Sequence, residues 1–176
     1  FMWGWGAMNA GAITEAVRTR YPMDQFFGIW WSGHDGDLAQ AAEAAAGYRA
    51  ISWNAPVPDA PIRQEIREHV IDAGLSSIGQ NEIDWVFYQR GITMSMMLAE
   101  AIRTAQEEFD ETVVTPEQVR WGLENLDISE ERLEELGMSG MIVPFQTTCA
   151  NHTGHGGGWI IEWDGERFNR VSDLLQ

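Results

Sequence analysis

Two short apolar segments, each running into a loop of tryptophan and glycine, constrain the fold more than any other feature of the sequence. The first segment is Phe1–Gly6 and the second is Phe26–Gly33. Between them, residues 10–20 carry apolar side chains at helical spacing, and Asn9 stands where it could cap that helix. A strand, a helix and a strand within about 30 residues form a βαβ unit, whose two strands are parallel. The sequence therefore predicts an α/β fold built on a parallel sheet.

The two tryptophan-bearing loops leave their strands at the same edge of this predicted sheet. They span Trp5–Asn9 and Trp30–Asp35. In open parallel sheets, ligands bind outside the carboxyl ends of the strands. A single tryptophan is also a common core residue, but two aromatic loops at one edge favour a ligand cleft.

The rest of the chain reads as helices followed by a late hairpin. The predicted elements begin with a helix over 37–46 ended by Gly47, a strand over 48–53, and helices over 61–73 and 83–109. Two further helices follow, one opened by the capping box Thr115–Gln118 and one capped by Ser129. The last elements are an extended segment over 141–145 and a hairpin over 159–171. The proline-rich residues 54–61 cannot join a sheet and predict a stiff connector between domains.

Composition excludes several classes of partner. The chain has 27 acidic against 11 basic residues, a net charge of −16, and every basic residue is arginine. Phosphate contacts need a basic patch, so no nucleic-acid partner is expected. Such acidity fits a salt-rich habitat, where ions screen the repulsion between carboxylates.

Neither a membrane span nor a signal peptide is predicted. No run of about 18 apolar residues is present, and no basic, then apolar, leader opens the chain. The first residues, Phe1–Trp3, already read as part of a strand. We therefore expect a fragment whose upstream part is missing.

One segment has the residues of a partial metal site. Cys149, His152 and His155 supply three ligands, whereas a structural zinc site takes four. The favoured interpretation is therefore no metal, with Gly154–Gly158 as a flexible turn between two lobes. Cys149 could be a buried thiol or half of a disulfide to a missing partner.

Two further catalytic or cofactor patterns are weak. Ser32, His34 and Asp35 echo a catalytic triad in composition, but consecutive residues cannot all aim at one another in triad geometry. Gly4–Gly6 lacks the third glycine and the acidic residue of a dinucleotide fingerprint. We expect no cofactor.

Five segments together resemble the C-terminal half of ABC-importer solute-binding proteins of the branched-chain amino acid type, which have the type I periplasmic-binding fold. The segments are Trp3–Asn9, Gly28–Gly33, Val119–Leu126, Cys149–Gly156 and Trp163–Gly165. The resemblance covers nearly the whole chain. Its most specific parts are the runs Arg120–Leu126 and Cys149–Gly156.

The resemblance implies two α/β lobes joined by three crossings. Residues 1–54 and 157–176 would form part of the C-terminal lobe, a parallel sheet with flanking helices. Residues 55–156 would be a helical segment belonging to the N-terminal lobe, which would otherwise be largely missing. The proline-rich connector and the glycine run would be two of the crossings.

The resemblance also implies a binding site on the loops after the first two strands. Its residues would be Trp5, Gly6, Asn9, Trp30, Trp31 and Ser32. Amino-acid binders carry a glutamate in the second loop, and that place is filled here by Trp30 or its neighbour. We therefore expect an aromatic or short aliphatic acid or amide rather than leucine or valine, with a cation boxed by the tryptophans as the main competitor.

The implied function is a non-enzymatic, periplasmic solute-binding component of an ABC importer, with a membrane permease as its partner. The alternative is a ligand-sensing regulatory domain of the same fold. A third hypothesis, from another class, is a small hydrolase using Ser32 or His34.

Overall fold

The computed structural model describes residues 1–79, 81–154 and 156–176. The helices are α1 (Ala7–Arg18), α2 (Asp35–Leu38), α3 (Pro61–Ile66), α4 (Val86–Phe109), α5 (Pro116–Leu123) and α6 (Glu130–Glu135). The strands are β1 (Phe27–Gly28), β2 (Arg49–Ser52), β3 (Asp127–Ile128), β4 (Phe145–Gln146), β5 (Trp159–Trp163) and β6 (Phe168–Arg170). Short 3₁₀ segments at Met23–Gln25, Trp30–Ser32, Ala42–Ala45 and Glu82–Asp84, and a π-helical turn at Arg67–Ile71, complete the regular structure of the described residues.

The chain divides into two compact units. The first unit is Phe1–Gln89 with Gly157–Gln176, and the second is Arg90–Gly156. The assignment of residues 1–54 and 157–176 to one lobe and 55–156 to another stays a prediction. Among the described residues, no helix combines the length and the apolar character needed to cross a membrane.

A mixed four-stranded sheet organises the first unit, in the order β1-β2-β5-β6. Strands β1 and β2 are parallel, with Phe27 opposite Arg49. Strand β5 lies antiparallel to β2 and to β6, so the late hairpin joins the same sheet as predicted. The predicted first strand is reduced to one parallel bridge, in which Met2 pairs with Gly28.

The core of the first unit combines side chains of this sheet with side chains of the surrounding helices and loops. Tyr48 is fully buried, and its ring packs edge-on against Phe26 at 5.4 Å and near Phe168 at 6.3 Å. The other buried members of this cluster are Ile13, Met23, Leu38, Ala45, Ala50, Val86, Ile161, Trp163 and Phe168. Burying a large side chain of this kind contributes about 1.5–3 kcal/mol.

Three of the predicted helices differ in their bounds. Helix α1 begins at Ala7, and Asn9 lies buried inside it rather than capping it. The predicted helix over 37–46 is split, because Ala42 adopts a left-handed conformation with φ of 43°. The predicted helix over 61–73 changes from α to π geometry after Ile66.

The second unit consists of most of α4, helices α5 and α6, and the two-stranded antiparallel sheet β3-β4. The capping box at Thr115 is present in both directions, and the Ser129 side chain caps α6, as predicted. Of the segment predicted to be extended, only Phe145 enters a strand. On α4, the apolar side chains of Met94 and Leu98 are 62% and 49% exposed and are open to solvent.

Candidate ligand-binding surface

Three tryptophans at the carboxyl ends of the parallel strands present their rings to solvent. Trp5, Trp30 and Trp31 are 56%, 40% and 45% exposed, and we call them the tryptophan surface. The Trp5 and Trp31 rings are in contact, with centroids 6.3 Å apart and planes inclined by 50°. Large aromatic groups left half-exposed and touching one another are typical of a ligand-binding surface rather than of a core.

An aromatic group from a distant part of the first unit supports Trp31 from the side. The Phe87 ring meets Trp31 edge-on at 6.0 Å, and it stacks at 4.5 Å on the imidazole of His34. The His34 ring also meets Trp85 edge-on at 5.6 Å. These contacts restrict the rotamers of Trp31 and His34.

A buried polar layer lies under the tryptophan surface. Asn9 and Ser32 are fully buried. The Asn9 side-chain amide donates to the Ser32 carbonyl at 2.9 Å and to Asp37 Oδ2 at 3.0 Å. The Ser32 hydroxyl lies 2.7 Å from the Gly4 carbonyl oxygen and 3.3 Å from that of Met2, and donates to this pair. These two side chains are used to hold the loops together.

Gly6 is the N-cap residue just before α1 and gives the first loop its shape. Its φ is 57°, a conformation that favours glycine, and its N–H donates to Asp37 Oδ2 at 3.1 Å. A Cβ atom at this position would have no heavy atom within 4 Å. A side chain here would therefore be strained by the backbone rather than by crowding, and the space above the glycine is open.

Burial raises the pKa values of two groups near this layer. It raises the pKa of the Asp35 carboxyl, although Asp35 Oδ2 accepts a 2.8 Å hydrogen bond from the Val86 N–H. It also raises the pKa of the Tyr48 hydroxyl, which donates to Asn9 Oδ1 and to the Ser32 carbonyl. None of these hydrogen bonds joins Asp35 or Tyr48 to the exposed tryptophan rings.

The geometry does not fit a serine nucleophile. The Ser32 hydroxyl is buried and bonds to backbone carbonyls rather than to His34. His34 instead places Nδ1 3.2 Å from Asp37 Oδ1. A nucleophile needs its base within hydrogen-bond reach and a path to substrate.

The described residues contain no group of three His, Cys, Asp or Glu side chains that could hold a metal ion. Cys149 is an exposed free thiol, and His152 Nε2 lies 3.6 Å from Glu124 Oε1. His155, the third ligand weighed from the sequence, lies outside the described residues.

The structure brings the predicted site residues together in two layers. Trp5, Trp30 and Trp31 form the exposed layer, and Asn9 and Ser32 lie in the buried layer, with Gly6 half-buried between them. Their assignment to a binding site stays a prediction. Two neighbours of this surface were not predicted as site residues. Phe87 is distant from the tryptophan loops in sequence, and no pattern in the residues around Asp37 indicates that its carboxylate is buried against the first loop.

Scans of the sequence against protein-family models and against curated proteins find no match. Three solved structures are similar. A chain described as an ABC transporter permease from the Pseudomonas fluorescens group has a TM-score of 0.86 and 30% identity, over 97% of this chain and 41% of that one. A branched chain amino acid ABC transporter from Thermus thermophilus with bound valine has a TM-score of 0.75 and 24% identity, over 99% of this chain and 46% of that one.

The third is a possible leucine/isoleucine/valine-binding protein from Rhodopirellula baltica SH 1, with a TM-score of 0.62 and 15% identity over 96% of this chain and 41% of that one. The chain therefore spans less than half the length of each similar structure. These similarities confirm the expected type I periplasmic-binding fold and the resemblance to transport-related binding proteins. The descriptions of all three name transport or binding, and none names an enzyme.

Proposed function

We propose, from the premise that the chain has the type I periplasmic-binding fold, that the protein is the non-enzymatic, periplasmic solute-binding component of an ABC importer. In the whole protein, a small organic solute would be trapped between two lobes and delivered to a membrane permease. The segments 1–54 and 157–176 would belong to the C-terminal lobe, and residues 55–156 to the N-terminal one.

One observation carries this proposal. Trp5 and Trp31 present touching, half-exposed rings at the carboxyl edge of the parallel strands, which is where open α/β sheets bind ligands. Each of these inclined rings offers an apolar face with little conformational entropy left to lose. The predicted site residues Gly6 and Trp30 flank this face.

The charges around the surface favour one class of solute. The nearby carboxylates, Asp35 and Asp37, are 4% and 7% exposed, and both accept hydrogen bonds from protein groups. They are therefore poorly placed to pair with the ammonium group of an amino acid, and a buried ammonium without a partner costs several kcal/mol. An aromatic or short aliphatic acid or amide fits better than leucine or valine.

Calorimetric titration with benzoate, benzamide, acetamide, leucine and valine tests the proposal. We expect binding of at least one acid or amide and no binding of leucine or valine. The Trp31→Ala variant should bind that probe at least tenfold more weakly, which corresponds to about 1.4 kcal/mol. The matched control is Tyr21→Ala, which removes an aromatic side chain of similar exposure, 47%, from another part of the surface.

Two outcomes would contradict the solute class. The first is micromolar binding of leucine or valine with the acids and amides inert. The second is binding of tetramethylammonium alone, because a cation held on the ring faces would then account for the exposed tryptophans. Equal losses in Trp31→Ala and Tyr21→Ala would contradict the site itself.

A further inference from the structure

The Asp37 carboxylate joins the two loops that carry the tryptophans. Its Oδ2 atom accepts from the Gly6 N–H at 3.1 Å and from the Asn9 amide at 3.0 Å. Its Oδ1 atom lies 3.2 Å from His34 Nδ1. The first two partners follow Trp5, and the third follows Trp31, so one buried carboxylate contacts both loops.

The partners of Asp37 explain why a carboxylate is needed here. A backbone N–H and a side-chain NH₂ are donors, and the imidazole nitrogen donates when it carries its proton. An ionised carboxylate has only acceptor sites, so it can serve all three at once. An asparagine of the same shape would have to turn its own NH₂ group toward one of these donors.

Helix α1 provides a second reason. It has neither a side-chain cap at Gly6 nor an acidic residue in its first turn. The negative charge of Asp37, supplied from the other loop, lies at this helix end, where it is favourable. The start of α1, and with it the Trp5 loop, is therefore tied to α2.

We propose that Asp37 is the positioning residue of the tryptophan surface: it sets the separation and the inclination of the Trp5 and Trp31 rings without contacting the solute. The proposal rests on the proposed function for its biological role. Its structural content is independent of any ligand, because the ring arrangement belongs to the protein alone.

The ring arrangement has a spectroscopic signature that a purely stabilising residue would not control. Two indole rings 6.3 Å apart couple their electronic transitions and give an exciton couplet in the far-ultraviolet circular dichroism spectrum. We expect this couplet in the unmodified protein, and we expect Trp5→Phe and Trp31→Phe each to abolish it. A couplet that neither variant changes would overturn the proposal.

The deciding comparison is between Asp37→Asn and Asp35→Asn. Asp35 is a buried carboxylate on the same short helix, but its hydrogen bond from the Val86 N–H does not join the two tryptophan loops to each other. We expect Asp37→Asn to lose at least half of the couplet amplitude and Asp35→Asn to keep it, in folded proteins with cooperative unfolding. An unchanged couplet in Asp37→Asn, or equal losses in both variants, would overturn the proposal.

A milder variant covers the case in which Asp37→Asn does not fold. His34→Phe removes the His34 bond to Asp37 and retains an aromatic ring where the imidazole packs against Phe87 and Trp85. We expect a smaller but measurable loss of the couplet, and an unchanged couplet would overturn the proposal.

Benzoate and benzamide titrations then separate this proposal from the proposed function. If a probe binds, Asp37→Asn should weaken it at least tenfold, whereas Asp35→Asn should change its affinity less than threefold. If no probe binds the unmodified protein, the proposed function fails, and the couplet still decides the role of Asp37.

Discussion

Tyr48 donates its phenolic hydrogen bond to Asn9 Oδ1 over 3.2 Å, and both side chains are completely buried. Tyr48 lies just before β2 and Asn9 lies in α1, so this contact ties the sheet to the helix that follows the first tryptophan loop. The same hydroxyl lies 3.2 Å from the Ser32 carbonyl oxygen. One phenol therefore organises the polar layer beneath the tryptophan surface from the sheet side.

Tyr48→Phe should destabilise the protein by about 1–3 kcal/mol, because it leaves a buried acceptor of Asn9 without its donor. The phenyl ring still fills the space between Phe26 and Phe168, so little packing is lost. Urea unfolding measures the change. Tyr21→Phe, at a side chain 47% exposed, is the control and should stay within about 0.5 kcal/mol. Equal effects of the two substitutions would contradict the role given to the buried hydroxyl.

The substitutions Gly122→Ala and Gly91→Ala should change stability in opposite directions, although both glycines lie in helices of the second unit. A Cβ on Gly122 would overlap the Ala101 carbonyl oxygen, so helix α5 would have to move away from α4. We expect a loss of about 1–3 kcal/mol or more from this overpacking. A Cβ on Gly91 would meet nothing within 4 Å, and alanine should stabilise α4 by about 0.5–1 kcal/mol.

Thermal unfolding of the two variants checks this pair. The midpoint should fall for Gly122→Ala and rise slightly for Gly91→Ala. A rise for both would mean that helix propensity outweighs the close approach at Gly122.

Features that depend on neighbours in the sequence were predictable. The capping box of Thr115 and the Asp164–Gly165 hairpin each follow from a few adjacent residues, and both are present. The placement of Trp5 and Trp31 at one sheet edge also follows, because the βαβ pattern fixes the edge at which both loops emerge.

Features that depend on distant partners were not predictable. Asn9 reads locally as a cap, but its partners are Asp37 and Tyr48, 28 and 39 residues away. The alanine-rich segment 37–46 reads as one α-helix, but Ala42 has a left-handed φ of 43° and its carbonyl accepts from Trp163 Nε1, 121 residues away. Tertiary contacts override local propensity at both places.

Alkaline pH should reduce the advantage of tyrosine over phenylalanine at position 48. Burial raises the Tyr48 pKa above its unfolded value of about 10. The folded state therefore holds the phenolic proton more tightly, which contributes stability that is complete below about pH 10 and is lost as pH rises through the folded pKa.

The difference in unfolding free energy between the native protein and Tyr48→Phe should therefore be constant near neutral pH and narrow above about pH 10. Arg90, whose pKa burial lowers to about 10, titrates in the same window, but it is common to both proteins and cancels in the comparison. Urea unfolding at a series of alkaline pH values gives the difference. A gap that stays constant across the series would contradict a buried, protonated Tyr48.

Acid should weaken the second unit through Glu100, whose carboxylate receives a two-pronged contact from Arg132. Arg132 Nη2 donates to Oε1 at 2.7 Å and Arg132 Nε to Oε2 at 2.9 Å, while Arg103 Nε donates to Oε2 at 3.1 Å. The Arg132 bond is the main reason that the Glu100 pKa lies below its ordinary value, with Arg103 adding to it and burial opposing it. A lowered folded pKa contributes stability above the unfolded value of about 4.3 that is lost as pH falls through the folded pKa.

Glu100→Gln should therefore reduce stability at neutral pH by about 1–3 kcal/mol. The substitution keeps an acceptor at position 100 but removes the negative charge that Arg103 and Arg132 bind. The curves of the variant and the native protein should begin to converge below about pH 4.3 and meet as pH falls through the lower folded pKa, where the native carboxylate loses the same charge. Glu134→Gln, at an exposed carboxylate on the same helix as Arg132, is the matched control and should change stability by less than about 0.5 kcal/mol at any pH. Urea unfolding from neutral to acid pH distinguishes the cases, and parallel curves for Glu100→Gln and the native protein would mean that this ion pair does not control the acid stability of the unit.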